Sequence, residues 1–155
     1  MNNKLLPEIL IKAVLVGLEL LFVGILCALR LQIIGWMLVI LGLGFILWVL
    51  VHLGLMTAFI ISIKARVLDI LLYLAVHFFY LFAWLFQSDS GDGGGYHWAI
   101  QQINDWPALD PFLKKWGDSV FGVAFIATFI CYVLIAIFLV VKLVKLAQAQ
   151  KKPAA

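Results

Sequence analysis

Charge is scarce in this sequence. Asp, Glu, Lys and Arg together make up 12% of its 155 residues, while 66% are hydrophobic. Ordinary soluble domains carry about 25% charged and about 45–50% apolar residues, so a water-soluble globule is excluded. Cysteine is nearly absent. Cys27 falls near one end of the first apolar run and Cys131 near the middle of the last, a depth mismatch that argues against a disulfide. With no cysteine motif, the redox compartment cannot be read from cysteine usage. H-E-x-x-H, G-x-S-x-G, P-loop and paired-cysteine motifs are missing too, which removes the enzyme classes built on them. Three histidines, one of them (His97) outside the apolar runs, fall short of a multi-histidine iron oxidase. The net charge of +3 sits on cations at the ends of apolar runs, not on a basic patch, so nucleic-acid binding is not expected.

What is present is a series of uninterrupted apolar stretches of about 20 residues, the mark of membrane-spanning helices. The expected fold is an all-α integral membrane protein, one domain over residues 1–155 with four transmembrane helices in a small bundle. Its spans run at about 9–29, 33–63, 67–86 and 119–141, with an outer loop at 87–118 and a tail at 142–155. Lys4 ahead of an apolar run raises the alternative of a signal peptide. Glu8, Lys12 and Glu19 interrupt that run, and Leu26-Cys27 lacks the small residue of a lipoprotein cleavage site, so an uncleaved span is expected. The second run, Ile33 to Ile63, makes a helix of roughly 46 Å against a bilayer core of roughly 30 Å. Either its Gly35-Trp36 end protrudes or it bends near Gly42 and Gly44. Those glycines, Gly17 with Gly24, and a small face of Ala124, Ala127, Thr128 and Cys131 are expected to mark close helix packing.

The few polar residues inside the spans are not scattered. At about 100° per residue, Glu8, Lys12, Glu19 and Arg30 project within roughly 40° of one another. Glu8 and Lys12 form an i,i+4 pair near the surface, whereas Glu19 lies near mid-membrane. His52 and His77 flank the Lys64-Ala65-Arg66 turn on successive spans, each about 16 Å from it along a helix, and so reach the midplane as well. On the third span Asp69, Tyr73, His77, Tyr80 and Trp84 fall within about 80° of arc, a polar ladder opposite an apolar face. Asp69, one turn inside, can pair with Lys64 or Arg66.

The loop opens with Ser88-Asp89-Ser90-Gly91-Asp92-Gly93-Gly94-Gly95, which reads as a flexible linker and not as a D-x-[DN]-x-[DN]-G calcium loop. Residues 96–105 are amphipathic, with Tyr96, Ala99, Ile100 and Ile103 on one face and His97, Gln101, Asn104 and Asp105 on the other. With Trp98, Trp106 and Trp116 nearby, the expectation is a short helix on the membrane surface anchored by Tyr96, Trp98, Ile100, Ile103, Trp106 and Trp116. Asp110-Pro111 is a helix-start signal.

Cations set the orientation. Lys4, Lys12, Lys64, Arg66, Lys142, Lys145, Lys151 and Lys152 gather on the side of both termini, leaving Arg30, Lys114 and Lys115 opposite among five aspartates. The positive-inside rule then places both termini in the cytoplasm and the loop outside, in a bacterial inner membrane. Glu19, His52, Asp69, Tyr73 and His77 are the candidate functional residues, since intramembrane ionisable groups are costly. The leading expectation is a non-catalytic small subunit or assembly factor, in contact with lipid and with other membrane subunits or itself. Two alternatives stand beside it. One is a haem b electron carrier with His52 and His77 as axial ligands; the other is a proton or small-solute path through the polar residues.

Overall fold

A computed structural model describes residues 5–32, 36–64, 66–90, 96–103 and 106–150. Its elements in order are α1 (Leu5–Leu31), α2 (Trp36–Ser62), α3 (Val67–Leu85), β1 (Ser88–Ser90), β2 (Tyr96–Trp98), two 3₁₀ turns (Ala99–Gln102 and Pro107–Leu109) and α4 (Asp110–Gln150). Four helices among the described residues are long and apolar enough to cross a membrane. Their surfaces agree with that setting: Leu43 is 80% exposed, Leu68 78% and Val123 68%, a display that water would not tolerate on this scale.

Four long-range contacts fix how the helices run. Lys12 near the start of α1 donates to the Ile61 carbonyl at the end of α2 (3.0 Å), and Lys142 late in α4 donates to the carbonyl of Ser62. Arg30 at the end of α1 reaches Gln87 and Asp89 just beyond α3. Successive helices therefore alternate in direction, which defines a terminal side (Lys12, Ser62, Lys142) and a loop side (Arg30, Asp89).

The helix boundaries have local causes. Asp69 Oδ2 accepts the backbone N–H groups of Lys64 and Arg66 at 3.3 Å each, satisfying donors at the start of α3 that lipid would leave bare. The carboxylate thus caps the helix instead of pairing with the Lys64 or Arg66 side chain. Asp110 opens α4 with Pro111 behind it, as the sequence signals. This helix has 41 residues, about 60 Å, roughly twice the thickness of a bilayer core. Ile33, Ile34 and Gly35 lie outside the described residues, so the protruding Gly35 end is not placed.

Packing runs along one stripe per helix. On α1 the buried positions Glu19, Val23, Leu26 and Arg30 repeat every three or four residues, as do Ala124, Thr128, Cys131 and Ile135 on α4. Among the described residues α3 and α4 make the most extensive helix pair. The span glycines behave otherwise than expected: a Cβ at Gly17, Gly24, Gly42 or Gly44 meets nothing within 4 Å. Close approach occurs at Gly117, where a Cβ would lie 2.5 Å from Trp98 Nε1.

The loop departs furthest from its sequence reading. Ser88, Asp89 and Ser90 form β1, paired antiparallel with β2 in the register Ser88↔Trp98, Asp89↔His97 and Ser90↔Tyr96. The glycines 91–95 between them lie outside the described residues, as do Asn104 and Asp105. Residues 96–98 are a strand, not the start of a surface helix, and a single 3₁₀ turn follows. Trp98 is correspondingly no surface anchor. It is buried at 4% exposure with Leu113 and Phe86, while Ile103, Trp106 and Trp116 stay exposed and Ile100 is half-buried. Ser88 Oγ donates to Asp118 (2.9 Å) and Gln101 Nε2 to Asp110 (3.0 Å), tying the hairpin to α4.

Candidate functional site: a carboxylate between two imidazoles

Glu19, His52 and His77, read from sequence as lying at one depth on three helices, meet in the core. Glu19 Oε2 lies 2.6 Å from His77 Nε2 and Glu19 Oε1 lies 2.7 Å from His52 Nε2. Glu19 and His52 are fully buried, and His77 keeps 17% exposure toward an apolar groove beside Phe22 and Leu74. The two contacts differ in quality. The His77 contact is a well-directed hydrogen bond, whereas the one to His52 is close but bent away from hydrogen-bond direction.

The outer nitrogens determine the chemistry. His77 Nδ1 lies 2.7 Å from the Tyr73 carbonyl oxygen, which only accepts, so this nitrogen carries a hydrogen. In a neutral ring Nε2 is then a bare lone pair, yet it faces a carboxylate oxygen that also only accepts. Two acceptors cannot sit 2.6 Å apart unless a positive unit lies between them, either a proton or a metal ion. His52 Nδ1 is 2.8 Å from Tyr132 Oη, a group able to donate or accept, so His52 can hold its hydrogen on either nitrogen.

Aromatic rings immobilise the cluster. Tyr80 stacks on His52 with centroids 3.7 Å apart and planes at 13°, and Trp48 packs edge-on against Tyr80 and stacks on Trp84. Tyr73 lies against His77 at 4.2 Å. Trp48, Tyr80 and Trp84 thus close the loop side of the site. Above them the Arg30 guanidinium, 2% exposed, makes an ion pair with Asp89 at 2.6 Å and donates to Gln87 at 3.1 Å. On the terminal side the ladder continues through half-buried Tyr73 to Asp69, one turn or about 6 Å further along α3.

Sequence reasoning located Glu19, His52, His77, Tyr73 and Asp69 but not Tyr132, Asp89 or Gln87. Tyr132 continues the small face Ala124–Thr128 by one more turn, a signal available beforehand. Asp89 carried none, because its position depends on a strand pairing across a glycine run.

The donor set fits the proposed occupants unequally. A haem held between the two histidines does not fit, since the Glu19 carboxylate fills the interval where the macrocycle would lie. A metal fits by residue type, because one oxygen and two nitrogens lie within 4.8 Å of one another and His77 hands its other N–H to a carbonyl. Ligand atoms around a tetrahedral ion with bonds of about 2.0–2.1 Å stand roughly 3.3 Å apart, however, and these contacts are shorter. Comparison with family models, curated proteins and solved structures finds no match to this chain.

Proposed function

We propose that this chain is a small multi-pass membrane protein that handles protons at a buried carboxylate–imidazole relay. The observation carrying this reading is the 2.6 Å contact between two groups that both accept, Glu19 Oε2 and His77 Nε2, with the second carboxylate oxygen turned toward His52. Such a contact has the length of a charge-assisted hydrogen bond. Charge balance favours a proton over a metal: one carboxylate with one proton is neutral, whereas a divalent ion leaves a net positive charge in the apolar core.

The step is a transfer of one proton. His77 Nε2–H passes its proton to Glu19 Oε2, which makes a neutral carboxylic acid; a half-turn of the carboxyl group exchanges its two oxygens and delivers that proton to His52 Nε2, in the tautomer whose own hydrogen lies on Nδ1 toward Tyr132 Oη. Asp69 and Tyr73 lead toward the site from the terminal side, while the Trp48–Tyr80–Trp84 cap closes the other. In the orientation that the cation distribution favours, the terminal side is the cytoplasmic face of a bacterial inner membrane, and the four helices form a bundle. The alternative of a non-catalytic subunit gives these groups only a packing role and makes the opposite forecast.

Purified protein in vesicles loaded with a pH-sensitive dye, under an imposed potential, is expected to pass protons, and Glu19→Gln to stop the flux while remaining folded. Flux equal to that of empty vesicles, or unaltered by Glu19→Gln, refutes the relay. Added cobalt(II) is expected to give no visible band; a tetrahedral spectrum lost in His52→Ala and His77→Ala would replace the proton with a metal.

A further inference from the structure

A second cluster of charges lies on the terminal side and shares Asp69 with the approach to the relay. Between the end of α2, the start of α3 and the last turns of α4 is a cavity of about 500 Å³. Its polar wall carries Lys64, Arg66, Lys142 and Lys145, four cations drawn from segments far apart in sequence. Asp69 also lines it, but its Oδ2 is engaged by the backbone N–H groups of Lys64 and Arg66. The carboxylate keeps its charge while it caps the helix, so the lining sets one anion against four cations. Lys142 is held across the opening by its bond to the Ser62 carbonyl. The remaining wall is apolar, formed by Phe138, Val141 and Leu146 on α4.

We infer that this cavity binds the phosphate of an anionic lipid, with the acyl chain laid along Phe138 and Val141. Four converging cations that lack a matching set of carboxylates call for an anion with several oxygens, and lysine and arginine suit phosphate. The apolar wall selects a lipid over a free anion. So does position, because the cavity opens where α4 leaves the apolar core and headgroups lie. Anionic headgroups attract cations near the membrane surface at about 1 kcal/mol each, or about five-fold in affinity per charge.

The test is native mass spectrometry and thermal unfolding of the full chain in detergent, titrated with phosphatidylglycerol, phosphatidylcholine or inorganic phosphate. Phosphatidylglycerol is expected to bind and to raise the unfolding temperature, with phosphatidylcholine and inorganic phosphate far weaker. Lys142→Gln with Lys145→Gln is expected to weaken phosphatidylglycerol about 25-fold. Lys142→Arg with Lys145→Arg should retain it, which separates lost charge from lost folding. The control Lys114→Gln with Lys115→Gln, the same charge change on the loop side, should have no effect. Equal binding of phosphatidylcholine, equal loss in the control, or no loss in the glutamine pair overturns the inference. Inorganic phosphate binding as tightly as the lipid also overturns it, by making the site one for a soluble anion.

Discussion

Removing the central carboxylate in two ways separates a shared-proton site from ordinary helix packing. In Glu19→Gln the amide fits the hydrogen-bond requirements the structure imposes: its NH₂ donates to the bare His77 Nε2, and its oxygen accepts from His52 Nε2–H. Both partners survive and only charge assistance is lost, a cost of about 1 kcal/mol. Glu19→Ala leaves both ring nitrogens facing a void. A buried polar atom without a partner costs about 1–3 kcal/mol. His52, with no exposure, falls at the upper end, and His77, at 17% exposure, at the lower. The sum is about 3–4 kcal/mol, so alanine should be about 2–3 kcal/mol worse than glutamine. At about 2–4 °C per kcal/mol for a chain of this size, the two variants should unfold roughly 4–12 °C apart. Ordinary interhelical polar contacts in membranes average only about 0.6 kcal/mol each, so two of them would compress that gap to about 2–5 °C. Thermal unfolding in detergent, read by loss of monomer on gel filtration, measures it. Two variants each as stable as the parent protein would refute the argument that the imidazoles depend on Glu19, and equal destabilisation by both would show that the negative charge itself holds the site.

Further outcomes follow from other contacts. Tyr132→Phe removes the hydroxyl from His52 Nδ1 and is expected to cost about 1–3 kcal/mol and to slow proton flux without stopping it, as measured by unfolding and vesicle assays. Arg30→Gln leaves Asp89 buried without its cation and should cost about 3–5 kcal/mol, while Arg30→Met with Asp89→Leu recovers most of that; a double-mutant cycle checks it. Gly117→Ala drives a methyl group into Trp98 Nε1 and should expel the indole at about 1–3 kcal/mol, read as increased quenching of tryptophan fluorescence by acrylamide. Protein purified from cells supplied with haem should show no Soret band, because Glu19 occupies the interval between His52 and His77.

The sequence alone determined the setting and the depth of the site. Apolar runs of bilayer length leave helices as the economical way to satisfy the backbone in lipid, and a fixed rise per residue converts sequence position into depth. That is why Glu19, His52 and His77 were legible as one layer, and why Asp69 and Tyr73 were legible as the approach to it on α3. Depth says nothing about rotation of one helix relative to another, and rotation decides which groups touch. Only the tertiary structure brought both Glu19 oxygens to different imidazoles, placed Tyr132 behind His52, and turned the open glycine positions away from the helix contacts. The loop escaped the sequence for a related reason. Its amphipathic period was real, but strand pairing across residues 91–95, Trp98 seated over Gly117 and the Arg30–Asp89 pair are non-local contacts. In so short a segment such contacts outweigh helical periodicity, because a few residues of helix gain little on their own.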